Sequence, residues 1–447
     1  MRIQPARRLR GGFRRLPGDK SISHRAAIIA ALAHGRSRID NFSTSEDCAA
    51  TLACLRRLGV EIERDDDTTT GVTIEGAGSL RAPSQALDCG NSGSTMRMLA
   101  GVLAGQPFVS ELTGDDSLRS RPMGRIIEPL ERMGARVVAE AGHAPLRIEG
   151  RRPLVPVMYE MPVASAQVKS CILLAGLNAN GRTLVIEKRG ATRDHTERML
   201  RWFGVAVETS TGEREDGWPD LVSIDGPAQL HARDVEVPGD ISSAAFFIAA
   251  AALLPGSTLE IGSVGLNPTR AQILRLLQSL GAHVSVQEMR ERYNERVGNV
   301  HVSASAGRLA PAHPGRSNVL GGPLVPQLID ELPLLAVVGT QVEGGITIRD
   351  AAELRVKETD RISATVANLR AMGAEVEEHE DGMTVAGQPA RPLRGATLDA
   401  RGDHRIAMAF TIAALISEGE SEIEGAEECV GVSFPEFFRL LEQVVER

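Results

Sequence analysis

Two segments decide the fold: residues 17–33, PGDKSISHRAAIIAALA, and residues 238–254, PGDISSAAFFIAAAALL. Each begins with Pro-Gly-Asp and continues as an apolar run, which is typical of a buried helix that starts beside the aspartate. Four further apolar runs also open on small or polar residues: 90–105, GNSGSTMRMLAGVLAG; 164–177, ASAQVKSCILLAGL; 328–339, LIDELPLLAVVG; and 403–415, DHRIAMAFTIAAL. The sequence therefore predicts six buried helices of one type.

Five of the predicted buried helices are followed by an amphipathic helix that ends in glycine, and then by a strand of alternating apolar residues. The glycines are Gly59, Gly134, Gly204, Gly281 and Gly373. A sixth amphipathic helix, Pro435–Val445, is expected to end the chain without its strand. This pattern predicts six repeats of about 75 residues, although chance α/β alternation or a solenoid would look similar.

The repeats favour an α/β protein with two domains of three repeats each, because 447 residues exceed one hydrophobic core. We expect residues 1–18 and 239–447 to form the first domain and residues 19–238 the second, with hinges near Gly18 and Gly239. If several helix N-termini converge on a cleft between the domains, their free N–H groups would hold an anionic ligand.

The composition is that of a globular protein, 42% apolar and 24% charged with a net charge of −8. No apolar run approaches the roughly 20 residues that span a bilayer, and the acidic balance argues against nucleic acid as a partner. Five cysteines without CxxC spacing indicate a reducing cytoplasm and neither a disulfide framework nor a zinc site. The arginine-rich first fifteen residues resemble a transit peptide, but no apolar segment follows them.

The lysines are few enough to be informative. Of 50 basic residues only four are lysine: Lys20, Lys169, Lys188 and Lys357. A biased genome explains such a ratio, yet arginine cannot replace lysine where a compact, deprotonatable ammonium is needed. Lys20 lies in the first of four clusters of chemical interest, Lys357 lies in the third, and Lys188 has no role that the sequence suggests.

The first cluster is residues 19–25, DKSISHR. Lys20, Ser21 and Arg25 bring an ammonium, a hydroxyl and a guanidinium to a helix start, and these groups suit phosphate and carboxylate oxygens. A P-loop is excluded, because Asp19 separates Gly18 from Lys20. The alternative is a capped helix with surface charges, and His24 by itself favours a structural role.

The second cluster, residues 91–97 with 119–122, combines small residues for close backbone approach with forked arginine donors. The third begins with Asp330 at the start of an apolar helix, an expensive position for a carboxylate unless it caps or acts as a base. After it, residues 355–361 place Lys357, Glu358 and Arg361 within one turn, where an acid can donate a proton to a bound anion.

The alternative for residues 355–361 is an exposed salt-bridged helix. The fourth cluster, residues 403–405, is similarly ambiguous, and residues 165–167 are a weak signal with Lys169 expected on a solvated face.

Together these segments resemble the 5-enolpyruvylshikimate-3-phosphate synthases, also called 3-phosphoshikimate 1-carboxyvinyltransferases. The matching motifs run in order from Pro17 to Phe437: PGDKSISHRA, GNSGSTMR, RSRPM, SAQVKS, TRDHTERML, PGDISSAAFF, LRVKETDRI, DHRIAMAF and SFPEF. The resemblance implies two domains, each of three βαβαββ units, with the active site in the cleft between them. It also implies transfer of the enolpyruvyl group of phosphoenolpyruvate to the 5-hydroxyl of shikimate 3-phosphate, without cofactor or metal.

The resemblance assigns the site residue by residue. Shikimate 3-phosphate would contact Lys20, Ser21, Arg25, Ser165, the backbone N–H of Ala166, Gln167, Arg193, Asp330 and Lys357. Phosphoenolpyruvate would contact Lys20, Gly93, Arg121, Gln167, Arg361 and Arg405. By the same resemblance Asp330 accepts the hydroxyl proton, Glu358 protonates the methylene carbon and Lys20 stabilises the leaving phosphate. Neither nucleic acid nor membrane is an expected partner, and we expect a cytoplasmic monomer.

Two positions depart from or subdivide the family. Many members have a lysine that meets phosphoenolpyruvate where this chain has Val432, so Arg361 and Arg405 are expected to contribute more. Members with alanine in place of Gly93 tend to resist the herbicide glyphosate, so this chain is expected to be sensitive.

Two other functions compete with this prediction. The related UDP-N-acetylglucosamine enolpyruvyl transferases carry a loop cysteine that residues 114–124 lack. A repeat protein that binds a phosphorylated metabolite without turnover would not need the combination of Asp330, Lys357 and Glu358.

Overall fold

The computed structural model describes residues 1–64, 70–188, 190–211, 220–304, 309 and 318–447. The chain divides into two compact units. The first comprises Met1–Pro17, Pro238–Arg290 and Arg296–Arg447, and the second comprises Gly18–Val237 with Glu291–Glu295.

The strands are short and spread over the whole described chain. They are β1 (Arg2–Ile3), β2 (Arg8–Phe13), β3 (His34–Asp40), β4 (Glu61–Arg64), β5 (Val72–Ala77), β6 (Leu87–Asp88), β7 (Val109–Thr113), β8 (Arg136–Glu140), β9 (His143–Glu149), β10 (Met158–Glu160), β11 (Gly181–Ile186), β12 (Val207–Ser210), β13 (Leu221–Gly226), β14 (Val235–Glu236), β15 (Thr258–Gly265), β16 (His283–Arg292), β17 (Glu295–Ser303), β18 (Val319–Leu320), β19 (Ile346–Ile348), β20 (Val376–His379), β21 (Gly382–Val385), β22 (Thr397–Asp399), β23 (Ser421–Glu424) and β24 (Val445–Glu446).

The helices alternate with the strands. They are α1 (Lys20–Leu32), α2 (Glu46–Arg57), α3 (Gly93–Ala104), α4 (Asp116–Ser120), α5 (Gly124–Arg132), α6 (Ala166–Gly176), α7 (His195–Trp202), α8 (Ile241–Leu253), α9 (Gln272–Ser279), α10 (Val325–Leu328), α11 (Leu332–Gly339), α12 (Arg361–Ala371), α13 (His404–Leu415), α14 (Ala426–Ser433) and α15 (Phe437–Val444). Short 3₁₀ turns cover Gly322–Leu324 and Ala352–Val356.

Five of the six sheets in the described part of the chain share one topology, in which an edge strand is parallel to its neighbour and the remaining pairs are antiparallel. The second unit has the orders β14-β3-β5-β4, β6-β7-β9-β8 and β10-β11-β13-β12. The first unit has β18-β19-β21-β20, the related five-stranded sheet β16-β17-β15-β2-β24, and the smaller sheet β22-β23-β1. Each sheet accompanies one of the predicted repeats.

Strands that precede the two Pro-Gly-Asp segments pair with later parts of the chain. β2 precedes Pro17 but lies parallel to β15, which follows α8 in the first unit. β14 precedes Pro238 but lies parallel to β3, which follows α1 in the second unit. The chain therefore passes from one unit to the other at both Pro-Gly-Asp segments.

The apolar helices form the cores, as their composition predicts. In the second unit α1, α3 and α6 bury residues such as Ile28, Leu99 and Leu173. In the first unit α8, α11 and α13 bury residues such as Phe247 and Phe410. A helix that is apolar on all sides is stable in water only when neighbouring elements cover it, which explains why each lies inside its unit.

The helix ends follow the sequence signals closely. Asp19 and Asp240 cap α1 and α8 by accepting hydrogen bonds from Ile22 N (2.9 Å) and Ser242 N (2.8 Å). The five glycines that end the second helices of the repeats all adopt the predicted left-handed conformation, with φ between +83° and +93°.

Some predictions of local structure were wrong. The last helix is followed by a strand after all, since β24 pairs with β2. In the fifth repeat α11 begins only at Leu332, so Asp330 lies in a turn between α10 and α11. Lys357 and Glu358 are likewise not in a helix, because α12 begins at Arg361 after its cap Asp360. Within the described residues, no single helix combines the length and apolarity needed to cross a membrane.

Candidate active site

The start of α1 presents the first predicted cations of the second unit. Lys20 is the first helical residue, and its Nζ lies 2.9 Å from Asp47 Oδ2 at the start of α2. Both side chains are less than one-fifth exposed. Ser21 follows on the first turn, where backbone N–H groups lack helical partners and can donate to an anion.

Arg25 is buried one turn further along α1 and is held by neutral oxygens. Its Nε donates to Thr196 Oγ1 at 2.7 Å and its Nη2 to Ser170 Oγ at 2.8 Å. Its Nη1 donates to the carbonyl oxygen of Ser21 at 2.8 Å. Three elements, α1, α6 and α7, thereby fix one guanidinium.

The start of α6 adds the predicted group at residues 165–167. Ser165 caps the helix, and Ala166 is its first residue, so its N–H is one of the donors without a helical partner. Gln167 joins α6 to α3, because its Oε1 accepts from Arg97 Nη1 at 2.6 Å and its Nε2 donates to Ser94 Oγ at 2.8 Å.

Arg121 and Gly93 lie beside the same helix starts. Arg121 is 6% exposed and donates from Nη2 to Asn91 Oδ1 at 2.6 Å. Gly93 begins α3, and a Cβ built there would stand 2.6 Å from Arg97 Nη1 and 3.5 Å from Arg121 Nη1. The glycine thus lets two guanidinium groups approach the N-terminus of α3.

His24 is structural, as its sequence context indicates. It is buried and its Nδ1 lies 2.7 Å from Thr51 Oγ1. Burial lowers its pKa from 6.5 to about 4, and the nearby charges of Lys20 and Arg25 act in the same direction. The imidazole is therefore neutral at pH 7.

Lys169 corrects the expectation of a solvated side chain. It is 1% exposed, and its Nζ lies 2.9 Å from Glu187 Oε2 and 2.6 Å from Glu197 Oε1. Burial alone would lower the pKa of Lys169, but the two carboxylates outweigh it and raise that pKa above its usual value. Glu197 belongs to α7, which begins two residues after the half-buried Arg193.

The first unit concentrates its charges around Asp330. Oδ1 of Asp330 lies 3.6 Å from Arg361 Nη1, and Oδ2 lies 3.8 Å from Arg405 Nη2. Oδ2 also lies 3.9 Å from Nη1 of Arg270, a residue that the sequence did not single out. Three guanidinium groups therefore surround one carboxylate that is 18% exposed.

Arg361 links this carboxylate to two more. Its Nη2 donates to Glu358 Oε2 at 2.6 Å and its Nε to Asp403 Oδ2 at 2.7 Å. Burial opposes the charge of Arg361, but Asp403 and Glu358 outweigh it and raise the pKa. Burial lowers the pKa of the neighbouring Lys357, so its ammonium group gives up a proton more readily.

The cluster retains buried polar atoms without a hydrogen-bond partner. Among the described residues these include Arg361 Nη1, Arg405 Nε and Oε2 of Glu331. A buried guanidinium N–H without an acceptor costs free energy, so the two arginines are prepared to donate to an anion. The geometry suits a ligand with carboxylate or phosphate oxygens beside a proton-accepting carboxylate.

The comparison with known proteins identifies the family. The model of the EPSP synthase (3-phosphoshikimate 1-carboxyvinyltransferase) family matches residues 3–441. The chain belongs to this family. It is 51% identical to the 3-phosphoshikimate 1-carboxyvinyltransferase of Koribacter versatilis, over 100% of this chain and 99% of the relative. The same-named protein of Salinibacter ruber is 48% identical, over 99% and 98% of the two chains.

Solved structures of the EPSP synthase family agree with the fold. EPSP synthase from Acinetobacter baumannii superposes with a TM-score of 0.83 at 40% identity, covering 99% of this chain and 98% of that one. The enolpyruvyl transferase NikO from Streptomyces tendae superposes with a TM-score of 0.78 at 20% identity, covering 100% and 97%, which shows the fold alone. The predicted α/β fold of two domains is confirmed.

The structure places the predicted EPSP synthase residues in two groups, one in each unit. The second unit holds Lys20, Ser21, Arg25, Gly93, Arg121, Ser165, Ala166, Gln167 and Arg193. The first unit holds Asp330, Lys357, Glu358, Arg361 and Arg405. Val432 lies on α14 and offers no charge. In the described part of the chain, no cluster of three or more His, Cys, Asp or Glu side chains is placed to hold a metal ion.

Sequence reasoning missed Arg270 and the contacts of Glu331. Arg270 precedes α9 and donates from Nη2 to Ser242 Oγ at 2.6 Å, and Ser242 in turn donates to Glu331 Oε1. Ser242 lies in the second Pro-Gly-Asp segment, so this serine was the sequence signal available for the contacts with Arg270 and Glu331. The arginine that reaches it lies 28 residues later and has no motif of its own.

Proposed function

We propose that this chain transfers the carboxyvinyl group of phosphoenolpyruvate to the 5-hydroxyl of shikimate 3-phosphate and releases phosphate. The observation that carries the proposal is the cluster around Asp330, in which a proton acceptor lies within 4 Å of arginines that retain buried donors. A module that only binds anions has no need for such an acceptor. Family membership supports the same reaction.

The second-unit residues suit the phosphorylated acceptor. Lys20, Ser21 and Arg25 would bind the 3-phosphate together with Ser165, the Ala166 N–H, Gln167 and Arg193. Helix N-termini and forked guanidinium groups are the donors that phosphate prefers. The first-unit arginines, Arg361 and Arg405, would hold phosphoenolpyruvate with Arg121, Gly93, Gln167 and Lys20.

The proposed reaction needs one proton acceptor and one proton donor. Asp330 takes the 5-hydroxyl proton while that oxygen bonds to C2 of phosphoenolpyruvate, and protonated Glu358 gives its proton to C3. In the resulting adduct, Glu358 takes a proton back from the new methyl group, which restores the double bond as the bond to phosphate breaks, and the proton held by Asp330 passes to the departing phosphate. Lys20 stabilises the departing phosphate, and Lys357 contacts the reacting hydroxyl.

Glu358 must gain its proton before this step. Arg361 donates a hydrogen bond to it in the present structure, which favours the carboxylate form. When phosphoenolpyruvate takes over that donor, Glu358 loses the bond and is more readily protonated. Substrate binding would therefore prepare the acid.

We further propose that the two units close on the substrates, because each carries only part of the required set. Closure about the chain crossings near Gly18 and Gly239 would bring the two groups together and exclude water, protecting phosphoenolpyruvate from hydrolysis. The expected enzyme is a cytoplasmic monomer that works without metal or organic cofactor.

Phosphate release from phosphoenolpyruvate by the purified chain tests the proposal. We expect release only with shikimate 3-phosphate, unchanged by EDTA, and a product with an enol ether at the 5-position in NMR. Release with UDP-N-acetylglucosamine instead would support the related transferase. Binding of shikimate 3-phosphate without any release would support the non-catalytic alternative and overturn the proposal.

A further inference from the structure

Arg270 has a closely held side chain near Asp330. It is 3% exposed and follows a tight turn, in which Asn267 Oδ1 accepts from the N–H (2.9 Å) and Oγ1 (2.7 Å) of Thr269. Its own N–H donates to the Asn267 carbonyl at 2.9 Å. The backbone therefore fixes where the guanidinium starts.

Nη2 of Arg270 is committed to the start of α8. It donates to Ser242 Oγ at 2.6 Å and lies 3.3 Å from Asp240 Oδ1. Nη1 lies 3.9 Å from Asp330 Oδ2. The guanidinium thus spans from the second Pro-Gly-Asp segment to the turn that carries Asp330.

The other two arginines around Asp330 differ in one respect. Arg361 and Arg405 are both assigned to phosphoenolpyruvate, whereas Arg270 is not. When they donate to that anion, their attraction is shared between it and Asp330. Arg270 has no such assignment, and its Nη2 is held by Ser242 and Asp240.

We propose that Arg270 is a positioning residue that holds Asp330 ionised and oriented while Arg361 and Arg405 bind the substrate anion. The proposal rests on the function proposed above, in which Asp330 is the proton acceptor. An opposite charge within about 4–6 Å favours the ionised form of a carboxylate, so a guanidinium that stays beside Asp330 keeps this carboxylate able to accept the hydroxyl proton.

Other charges also face Asp330. They are Arg361 from α12, Arg405 from α13, Lys357 from the segment before α12, Glu358 beside Arg361, and the adjacent Glu331 at the start of α11. All remain in place when Arg270 alone is changed, so the effect of Arg270 can be separated from theirs.

The test compares Arg270→Gln and Arg270→Lys by the pH dependence of kcat and of kcat/KM for shikimate 3-phosphate. For Arg270→Gln we expect kcat at pH 7 to fall about tenfold or more and the acid limb to move to higher pH by about one unit or more. Both KM values should stay within about threefold. Arg270→Lys should keep the wild-type acid limb, because it retains the charge. Arg275→Gln, an exposed position on α9, is the matched control and should change none of these.

An unmoved acid limb in Arg270→Gln, or raised KM values with kcat retained, would overturn the proposal. Should Arg270→Gln not fold because Asp240 loses its partner, Arg270→Lys decides alone, and a displaced acid limb there would refute it. Asp330→Asn distinguishes the role of Arg270 from the role of Asp330 as proton acceptor. If Asp330→Asn is inactive and the acid limb of Arg270→Gln is unmoved, only the role of Arg270 is refuted. If Asp330→Asn is active, Asp330 is not the base.

Discussion

Three arginines near the helix starts of the second unit donate hydrogen bonds to neutral oxygens, while the three arginines around Asp330 in the first unit lie against carboxylates. The second-unit members are Arg25, Arg97 and Arg121, which donate to hydroxyl, amide or carbonyl groups. The first-unit members are Arg270, Arg361 and Arg405, which lie within 4.0 Å of Asp240, Asp330, Glu331, Glu358 or Asp403.

The difference separates two tasks that one binding site has to perform. A hydrogen bond to a neutral oxygen orients a guanidinium without cancelling its charge, which suits the capture of a phosphate. A carboxylate partner cancels the charge of the guanidinium. The carboxylate itself stays ionised beside the cation, which suits it to accept a proton. These second-unit arginines therefore suit binding, and the cluster around Asp330 suits proton transfer.

Asp330→Asn tests this comparison with the largest expected effect, because it keeps the shape of the side chain but removes the proton acceptor. We expect kcat to fall by about 10²–10⁴-fold, the usual contribution of a positioned base, with the KM for shikimate 3-phosphate within about threefold. Stopped assays of phosphate release would measure it. Glu377→Gln, on the exposed face of β20, is the control, and a turnover of Asp330→Asn near wild type would contradict the division of tasks.

Lys169 is a buried second-unit cation with two carboxylate partners, and its loss probes stability. Lys169→Met leaves Glu187 and Glu197 buried without their cation, so the free energy of unfolding should fall by about 3–5 kcal/mol. Urea unfolding at pH 7 would measure the change.

Lys188→Met is the matched control, because the exposed Lys188–Glu160 pair at 3.3 Å contributes less than about 1 kcal/mol. Equal losses in the two variants would show that the buried triad carries no special stability. The triple variant Lys169→Met/Glu187→Gln/Glu197→Gln should recover much of the loss, since it leaves no buried charge.

His24 tests how burial in the second unit affects the pH dependence of stability. Its pKa is lowered from 6.5 to about 4 by burial, aided by Lys20 and Arg25. The unfolded chain therefore binds a proton between these values that the folded chain does not. This group alone should reduce the free energy of unfolding by about 3 kcal/mol as the pH falls from 7 to 4, and the effect should level off below pH 4.

His24→Gln should lack this part of the pH dependence, so the wild type and the variant should converge as the pH is lowered. Chemical unfolding at several pH values would show it. Parallel curves for the two proteins would mean that His24 takes up its proton when folded as readily as when unfolded.

The smallest expected effect belongs to Gly93→Ala. The new methyl would stand 2.6 Å from Arg97 Nη1, the flexible end of a side chain, so Arg97 and its partner Gln167 must shift. We expect the KM for phosphoenolpyruvate to rise about threefold to tenfold, or about 1 kcal/mol, and inhibition by glyphosate to weaken. Gly124→Ala is the control, since its Cβ meets nothing within 4 Å. Unchanged kinetics and inhibition would place Gly93 outside the binding surface.

The sequence predicted those features whose signals are local. The cap at Asp19 and the left-handed Gly59 follow from short patterns, and the family motifs name Asp330 and Arg361 before any coordinates. Features that depend on contacts between residues far apart in the sequence were not predicted. Nothing near Val235 indicates that β14 will lie beside β3, and nothing in the spacing of Lys169 shows that two glutamates from later elements will enclose it. Arg270 was missed for the same reason.

The pairing of β1 and β2 has a consequence for biosynthesis. Arg2 and Ile3 pair with Glu422 and Ser421, so this strand waits for a partner that is translated some four hundred residues later. At about 5–20 residues per second that delay is about 20–80 s. Gly18–Val237, the bulk of the second unit, is one continuous stretch and can fold during that interval. We therefore expect the second unit to fold on the nascent chain before the first unit is complete, although translation of the first unit begins earlier.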